Sequence, residues 1–199
     1  NMPDNIPSIL KQYWGYDSFR PLQKEIIESV LAGKDTLALL PTGGGKSICY
    51  QVPALAKEGM CIVVSPLIAL MKDQVETLHR KNITAAAIYT GMPFKQIKDI
   101  LQMAVNEQLK FLYVSPERLE TNLFHEYLPG MNVQLIAIDE AHCISQWGYD
   151  FRPSYLKIIN LLKELPGVPV LAVTASATAL VQDDICKQLQ FRNHHIYKG

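Results

Sequence analysis

The stretch Thr36-Leu-Ala-Leu-Leu40-Pro-Thr42-Gly43-Gly44-Gly45-Lys46-Ser47 joins a short apolar run to a triple-glycine turn and a lysine–serine pair. It predicts a strand over Thr36–Leu40, a loop, and a helix opening near Lys46. Three successive glycines let the backbone close around oxygen atoms with its N–H groups pointing inward. The start of the following helix adds a positive dipole end. That combination of strand, glycine loop and helix is the form that cradles nucleotide phosphates. Thr42, Gly43, Gly44 and Gly45 would supply backbone amides, and Lys46 would reach the β- and γ-phosphates. Ser47 would place its hydroxyl on Mg²⁺. The full pattern, G-x-x-x-x-G-K-[ST], has a first glycine where Leu40 stands here, so the match starts at its core. A flexible glycine turn capping a helix is the plainer alternative. The strand before the turn and Lys-Ser after it favour the phosphate loop.

Outward along the chain, the apolar run Leu135–Ile138 ends in Asp139-Glu140-Ala141-His142. Two carboxylates at the end of an apolar strand are costly unless they bind something. Beside a phosphate loop, the ligands that suit them are Mg²⁺ and a water. Asp139 takes the metal, and Glu140 orients or deprotonates the attacking water. His142 is placed to couple this site to a neighbouring segment by hydrogen bonding. With Lys46, Asp139 and Glu140 as the catalytic group, the two motifs together define a nucleoside triphosphatase.

Around these motifs the chain alternates. Apolar runs at Thr36–Leu40, Cys61–Val64, Ala85–Tyr89, Phe111–Val114, Leu135–Ile138 and Val170–Val173 are separated by helical periodicity. The helices are expected at Arg20–Leu31, Lys46–Ala56, Ile68–Lys81, Pro93–Glu107, Ser154–Leu165 and Ala179–Leu189. Runs apolar throughout suit strands buried on both faces, and alternation with helices predicts an α/β fold. The expected architecture is a mostly parallel central sheet flanked by helices on both faces. Ligands on such sheets bind beyond the carboxyl ends of the strands, where both motifs lie.

Composition narrows the classes. The chain has 199 residues, 48% hydrophobic and 19% charged, a composition able to bury a core. Its 19 basic and 19 acidic residues cancel, which argues against a strongly basic nucleic-acid module. A nucleic acid could still be held by backbone amides and hydroxyls. The four cysteines, Cys49, Cys61, Cys143 and Cys186, lack paired metal-ligand spacing and read as small core residues in a reducing compartment. The uncharged stretch from Met60 to Met71 contains Pro66 and falls short of the ~20 residues of a membrane span. No membrane association and no signal peptide are expected.

Asp139-Glu-Ala-His142 resembles the DEAH form of helicase motif II. The longer run Asp139 to Pro153, together with Gly15–Gln23, Ser65–Val75 and Ser115–Leu119, resembles the RecQ family of ATP-dependent DNA helicases. The stretch Ser145–Pro153 resembles the family's aromatic-rich loop and is its most specific segment. The resemblance covers nearly the whole chain and implies a RecA-like P-loop domain using ATP and Mg²⁺.

The family's roles then fall on matching positions. Tyr16–Gln23 would read the adenine, with Gln23 on the base edge and Tyr16 and Arg20 around base and ribose. Ser65 and Lys72 in motif Ia, and Ser115 in motif Ib, would face single-stranded DNA. Thr174 and Ser176 in motif III would link the metal site to the DNA face, although the family more often shows threonine at the place of Ser176. Gln146, Trp147, Phe151 and Arg152 would form a sensor coupling DNA binding to hydrolysis, with Trp147 also offering a stacking surface for a base. A core-packed loop is the alternative for some of these rings, Phe151 among them.

The resemblance also bears on what the chain does alone. It reads as a single RecA-like domain over residues 1–199, without the second RecA-like domain and its arginine finger, and without the family's zinc-binding and winged-helix modules. The partners implied are single-stranded and duplex DNA, in DNA repair and recombination. The setting would be the bacterial cytoplasm at the nucleoid or a eukaryotic nucleus. The isolated fragment is expected to be monomeric and to lack unwinding activity. An RNA helicase of the DEAH or DEAD type and a nucleotide-sensing module without a motor remain as competing readings.

Overall fold

The computed structural model describes residues 2–41, 45–191 and 195–199, with side chains from Asn5 onward. The strands are β1 (Thr36–Leu39), β2 (Met60–Val64), β3 (Ala85–Ile88), β4 (Phe111–Val114), β5 (Val133–Ile138), β6 (Val170–Thr174) and β7 (His195–Lys198). They form one sheet in the order β3-β4-β2-β5-β6-β1-β7, and every neighbouring pair among the described residues runs parallel. The helices are α1 (Met2–Trp14), α2 (Gln23–Leu31), α3 (Ile48–Leu55), α4 (Ile68–Arg80), α5 (Phe94–Val105), α6 (Asn122–Tyr127), α7 (Lys157–Glu164) and α8 (Ala179–Gln188).

The apolar runs become strands because both faces of the sheet are covered. Leu37, Ile62, Val64, Leu112, Val114, Ile136 and Ile138 turn to one face, where they pack with side chains from α5, α7 and α8. Ala38, Cys61, Val63, Phe111, Tyr113, Leu135, Ala137 and Val173 turn to the other, toward α2, α3 and α4. The period of two in a strand does this sorting. Truncating a fully buried member such as Leu37 or Ile62 to alanine is expected to cost about 2–5 kcal/mol.

Three elements differ from the sequence expectation. Helix α1 is built on Ile6, Ile9, Leu10, Tyr13 and Trp14 despite Pro7 inside it, and it packs Ile6 and Leu10 against Ile27, Ile48 and Val52. Helix α6 is short and opens on Thr121, whose hydroxyl accepts from the Phe124 N–H. Strand β7 adds an edge beside β1.

Boundaries also shift. Helix α2 begins at Gln23 rather than Arg20, because Pro21 disfavours helical geometry at Arg20 and Leu22 sits at a left-handed φ of 73°. Helix α3 begins at Ile48, leaving Lys46 and Ser47 in the turn that leads into it. A short 3₁₀ turn over Pro153–Leu156 precedes α7. Among the described residues no helix is long and apolar enough to cross a membrane. All four cysteines are free and buried.

Candidate active site

The carboxyl ends of the parallel strands β1, β2, β4, β5 and β6 share one edge of the sheet, and Lys46, Ser65, Ser115, Asp139 and Thr174 lie at or just beyond them. The middle of the glycine loop, Thr42, Gly43 and Gly44, lies outside the described residues. On its far side Gly45 holds φ +75°, a conformation that side chains resist. Lys46 follows and brings its ammonium within 3.7 Å of the Asp139 carboxylate. This ion pair joins the loop after β1 to the end of β5 across the intervening strand β6. Ser47 makes no capping hydrogen bond to its own helix, which keeps its hydroxyl available.

Asp139 is anchored on several sides. Its N–H donates to the Val64 carbonyl, continuing the strand ladder, and its carboxylate accepts from the Glu140 N–H at 2.9 Å. Its carbonyl accepts from the fully buried Tyr155 hydroxyl at 2.7 Å. Burial raises the Asp139 pKa, Lys46 pulls it back down, and the neighbouring Glu140 charge raises it again. A buried carboxylate facing one ammonium is a set of hard oxygen donors suited to a divalent cation such as Mg²⁺. Glu140 occupies a left-handed backbone conformation, φ 50° and ψ 45°, at the sharp turn off the strand. That turn takes its side chain out of the strand direction and leaves it partly exposed beside His142, with Oε2 3.6 Å from Nδ1.

His142 is 3% exposed and places Nδ1 2.7 Å from the Thr174 hydroxyl at the end of β6. Burial lowers its pKa, the first cause among several, against the raising charges of Glu140 and Asp150. Its ring stacks on Tyr149 at 4.7 Å between centroids. The structure therefore joins His142 and Thr174, while Ser176 lies exposed two residues on, its carbonyl 3.4 Å from the Thr174 hydroxyl that donates to it.

The aromatic loop is pinned at its base. Ser145 donates to Asp184 at 2.7 Å and accepts from the Trp147 N–H. The Arg152 N–H donates to the Cys143 carbonyl, and its guanidinium reaches Asp150 at 3.4 Å. Cys143 donates its thiol to Asp150, and burial pushes that thiol up to about 12. Gln146, Trp147 and Tyr149 stand exposed, whereas Phe151 is half-buried. Trp147 and Tyr149 border a groove of about 550 Å³ completed by His142, Ser176, Thr178 and Val181.

A second cleft, of about 560 Å³, lies between the end of α1 and the glycine loop, lined by Trp14, Tyr16, Arg20, Gln23, Gly45 and Ser47. Gln23 is 2% exposed. Its Oε1 accepts from the Arg20 N–H at 2.8 Å, and its Nε2 donates to the Gly45 carbonyl at 3.1 Å. One amide hydrogen and one oxygen lone pair remain, the pair of groups that a purine edge requires. A Cβ at position 45 would lie 2.5 Å from Gln23 Nε2, so this glycine gives the amide its seat.

The two serines expected to face DNA lie just past the ends of β2 and β4. Ser65 and Ser115 each extend a strand ladder by one residue, through N–H bonds to the carbonyls of Val64's neighbour strand at Val114 and of Ile88. Both side chains therefore lie beneath the surface, at 2% and 3% exposure. The Ser115 hydroxyl is buried without a hydrogen-bond partner. Above them Leu67, Leu70 and Lys72 are exposed, and the Lys72 ammonium lies 5.2 Å from the Tyr89 ring centre. Sequence reasoning missed Tyr155, Asp184 and the Gln23–Gly45 bond. Tyr155 follows Phe151-Arg-Pro-Ser directly, but nothing in that spacing shows that its hydroxyl turns back to Asp139.

The sequence profile of the DEAD/DEAH box helicase family matches residues 20–184. The chain is 50% identical to the ATP-dependent DNA helicase RecQ of Bacillus subtilis over 195 residues, covering 96% of this chain and 33% of that protein. It is 46% identical to the ATP-dependent DNA helicase RecQ of Haemophilus influenzae, over 96% of this chain and 31% of that protein. The chain thus spans about a third of the length of these relatives. Among solved structures, it superposes on the DEAD-box helicase Mss116 bound to ssRNA and UDP-BeF with a TM-score of 0.77 at 17% identity, covering 96% of this chain and 42% of that one. That likeness establishes the fold.

Proposed function

The chain belongs to the DEAD/DEAH box helicase family, and from that premise we propose that it is the first RecA-like domain of a RecQ-type DNA helicase, binding ATP and Mg²⁺ and driving movement along single-stranded DNA and unwinding of duplex DNA. The single observation that carries this reading is the Lys46–Asp139 pair at 3.7 Å, which brings the phosphate loop and the DEAH carboxylates into one site.

In this reading Gln23 takes the adenine edge with its remaining amide hydrogen and lone pair. Tyr16 and Arg20 form the open wall of the base cleft. Lys46 leaves Asp139 for the phosphate oxygens. Asp139 and Ser47 hold Mg²⁺, for which their oxygen donors and the burial of Asp139 are suited. The bound ion would neutralise charge on the phosphate oxygens. Glu140 accepts a proton from the attacking water, from a backbone held off the strand direction. His142 passes the state of this site to Thr174 and, through its stacked ring, to Tyr149 and the aromatic loop. Gln146, Trp147, Phe151 and Arg152 report DNA engagement, with Trp147 as a stacking platform.

The arginine that completes transition-state stabilisation would come from a second RecA-like domain of the longer protein. Such a group is worth ~10³ to 10⁵ in rate, so this chain alone should hydrolyse ATP slowly and unwind nothing. The test is ATP turnover by the longer protein with single-stranded DNA, single-stranded RNA or neither. Strong stimulation by DNA and weak stimulation by RNA are expected. Preferential stimulation by RNA would replace the DNA reading with the RNA helicase reading.

A further inference from the structure

Behind the site lies a buried polar cluster that no part of the mechanism above uses. Gln74 on α4 presents Oε1 to three donors. The Tyr113 hydroxyl on β4 donates at 2.8 Å, the Tyr50 hydroxyl on α3 at 2.9 Å, and Gln51 Nε2 on α3 at 3.3 Å. Gln51 Nε2 also donates to the Tyr113 hydroxyl at 3.1 Å, and the two phenol oxygens are 3.4 Å apart. Tyr50, Gln51 and Tyr113 are 2%, 5% and 1% exposed. Burial pushes both phenols upward in pKa, so they remain protonated donors across the working range of the protein.

The addresses of these residues matter more than the bonds themselves. Tyr50 and Gln51 sit in the first turn of the helix that follows Lys46 and Ser47. Gln74 sits on the helix that follows Ser65-Pro66-Leu67, and Tyr113 lies on β4, the strand that Ser115 directly follows. One amide oxygen therefore ties the phosphate-loop helix to both segments that resemble DNA-facing motifs. Around it the same elements meet through apolar side chains, Cys49, Ala54, Met71 and Phe111 among them. Apolar contacts slide with little directional preference, whereas a shared acceptor fixes the relative position of its donors.

We propose that Gln74 is a positioning residue that locks α3 to α4 and β4, so that a nucleotide at the phosphate loop changes the affinity of the Ser65 and Ser115 segments for single-stranded DNA. The inference rests on the proposed function and adds to it a route between its two ligands, through the opposite face of the sheet from the His142–Thr174 contact. Linkage requires the effect to be reciprocal, so DNA bound at those segments would tighten nucleotide by the same factor.

The measurement is the ratio of single-stranded DNA dissociation constants with and without a non-hydrolysable ATP analogue and Mg²⁺, in the longer protein. Tyr113→Phe removes one hydroxyl and little volume, and Gln74→Met removes the acceptor. Both are expected to bring the ratio at least threefold closer to one. Gln74→Glu, which keeps the acceptor oxygen, should recover most of the wild-type ratio. A role in stability alone would lower the unfolding temperature of Tyr113→Phe and leave its ratio within 1.5-fold of wild type, and that result would overturn the proposal. Should Gln74→Met fail to fold, Tyr50→Phe and Tyr113→Phe decide the matter by the same criterion. A wild-type protein whose DNA affinity ignores the analogue would instead overturn the functional reading on which the inference stands.

Discussion

Asp139–Ser145 and Gln146–Phe151 are consecutive in sequence and opposite in environment. In the first segment every residue except Glu140 is buried, and its polar groups are satisfied by Tyr155, Thr174, Asp184 and the strand ladder. In the second, Trp147 and Tyr149 are 68% and 75% exposed. Leaving a large ring in water forgoes about 1.5–3 kcal/mol of burial, and this loop does so twice within three residues. The contrast separates two jobs. The buried segment holds charges at fixed positions, where preorganisation strengthens electrostatics. The exposed one is left with surfaces that only a second molecule or a second domain can cover.

Substitutions can break that contrast from either side. Glu140→Gln should keep nucleotide binding and lower turnover by about 10²–10⁴, because the amide keeps the shape of the carboxylate and loses its basicity. Single-turnover hydrolysis beside an equilibrium binding assay checks it, and normal turnover would move the base elsewhere. Lys46→Ala should lower turnover about 10²–10³-fold while the circular dichroism spectrum is unchanged, since it removes one charge from the transferring group and touches no core. On the exposed side, Trp147→Ala should reduce the stimulation of turnover by single-stranded DNA about tenfold. An unchanged stimulation factor would make the ring ornamental to coupling.

Two smaller effects sharpen the picture. Tyr155→Phe leaves the buried Asp139 carbonyl without its partner, a loss of about 1–3 kcal/mol. At ~2–4 °C per kcal/mol for a chain of this size, calorimetry should show a melting temperature about 2–12 °C lower. The smallest effect concerns pH. Burial holds the His142 pKa below its ordinary value of 6.5. Between that depressed value and 6.5 the unfolded chain binds more protons than the folded one, so this residue makes stability rise with pH through the window and fall on acidification. Denaturant unfolding of wild type and His142→Gln at a series of pH values should show a shallower slope in the variant.

Much of this architecture was readable in advance because parallel strands buried on both faces are written as uninterrupted apolar runs. Phe111–Val114 and Val170–Val173 could hardly be anything else. Strand β7 was not readable, since His195, Tyr197 and Lys198 are half-buried or exposed at an edge, and no apolar run marks them. Helix α1 was hidden by Pro7, although Ile6, Ile9, Leu10 and Tyr13 follow a helical period. The candidate site divides in the same way. Lys46, Asp139 and Glu140 declare themselves because charge beside glycine and after an apolar strand is unusual. The burial of Ser65 and Ser115 was not legible, because sequence places a residue at a strand end without saying whether the ladder continues past it. Tyr155 and Gln74 act through a hydroxyl and an amide whose partners lie far along the chain, and no local pattern carries that information.

The left-handed backbone at Glu140 has an evolutionary side. For residues other than glycine and asparagine this geometry is uncommon, and such local strain is of order 1–3 kcal/mol. Glycine would relax it, and asparagine would sit there with less resistance. Selection for thermal robustness alone would therefore drift away from glutamate at this position. A laboratory search for heat-tolerant variants that ignores catalysis should recover Glu140→Gly or Glu140→Asn, proteins that melt higher and no longer turn over ATP. Sites where robustness and turnover pull in opposite directions are the ones a stability-only screen erases first.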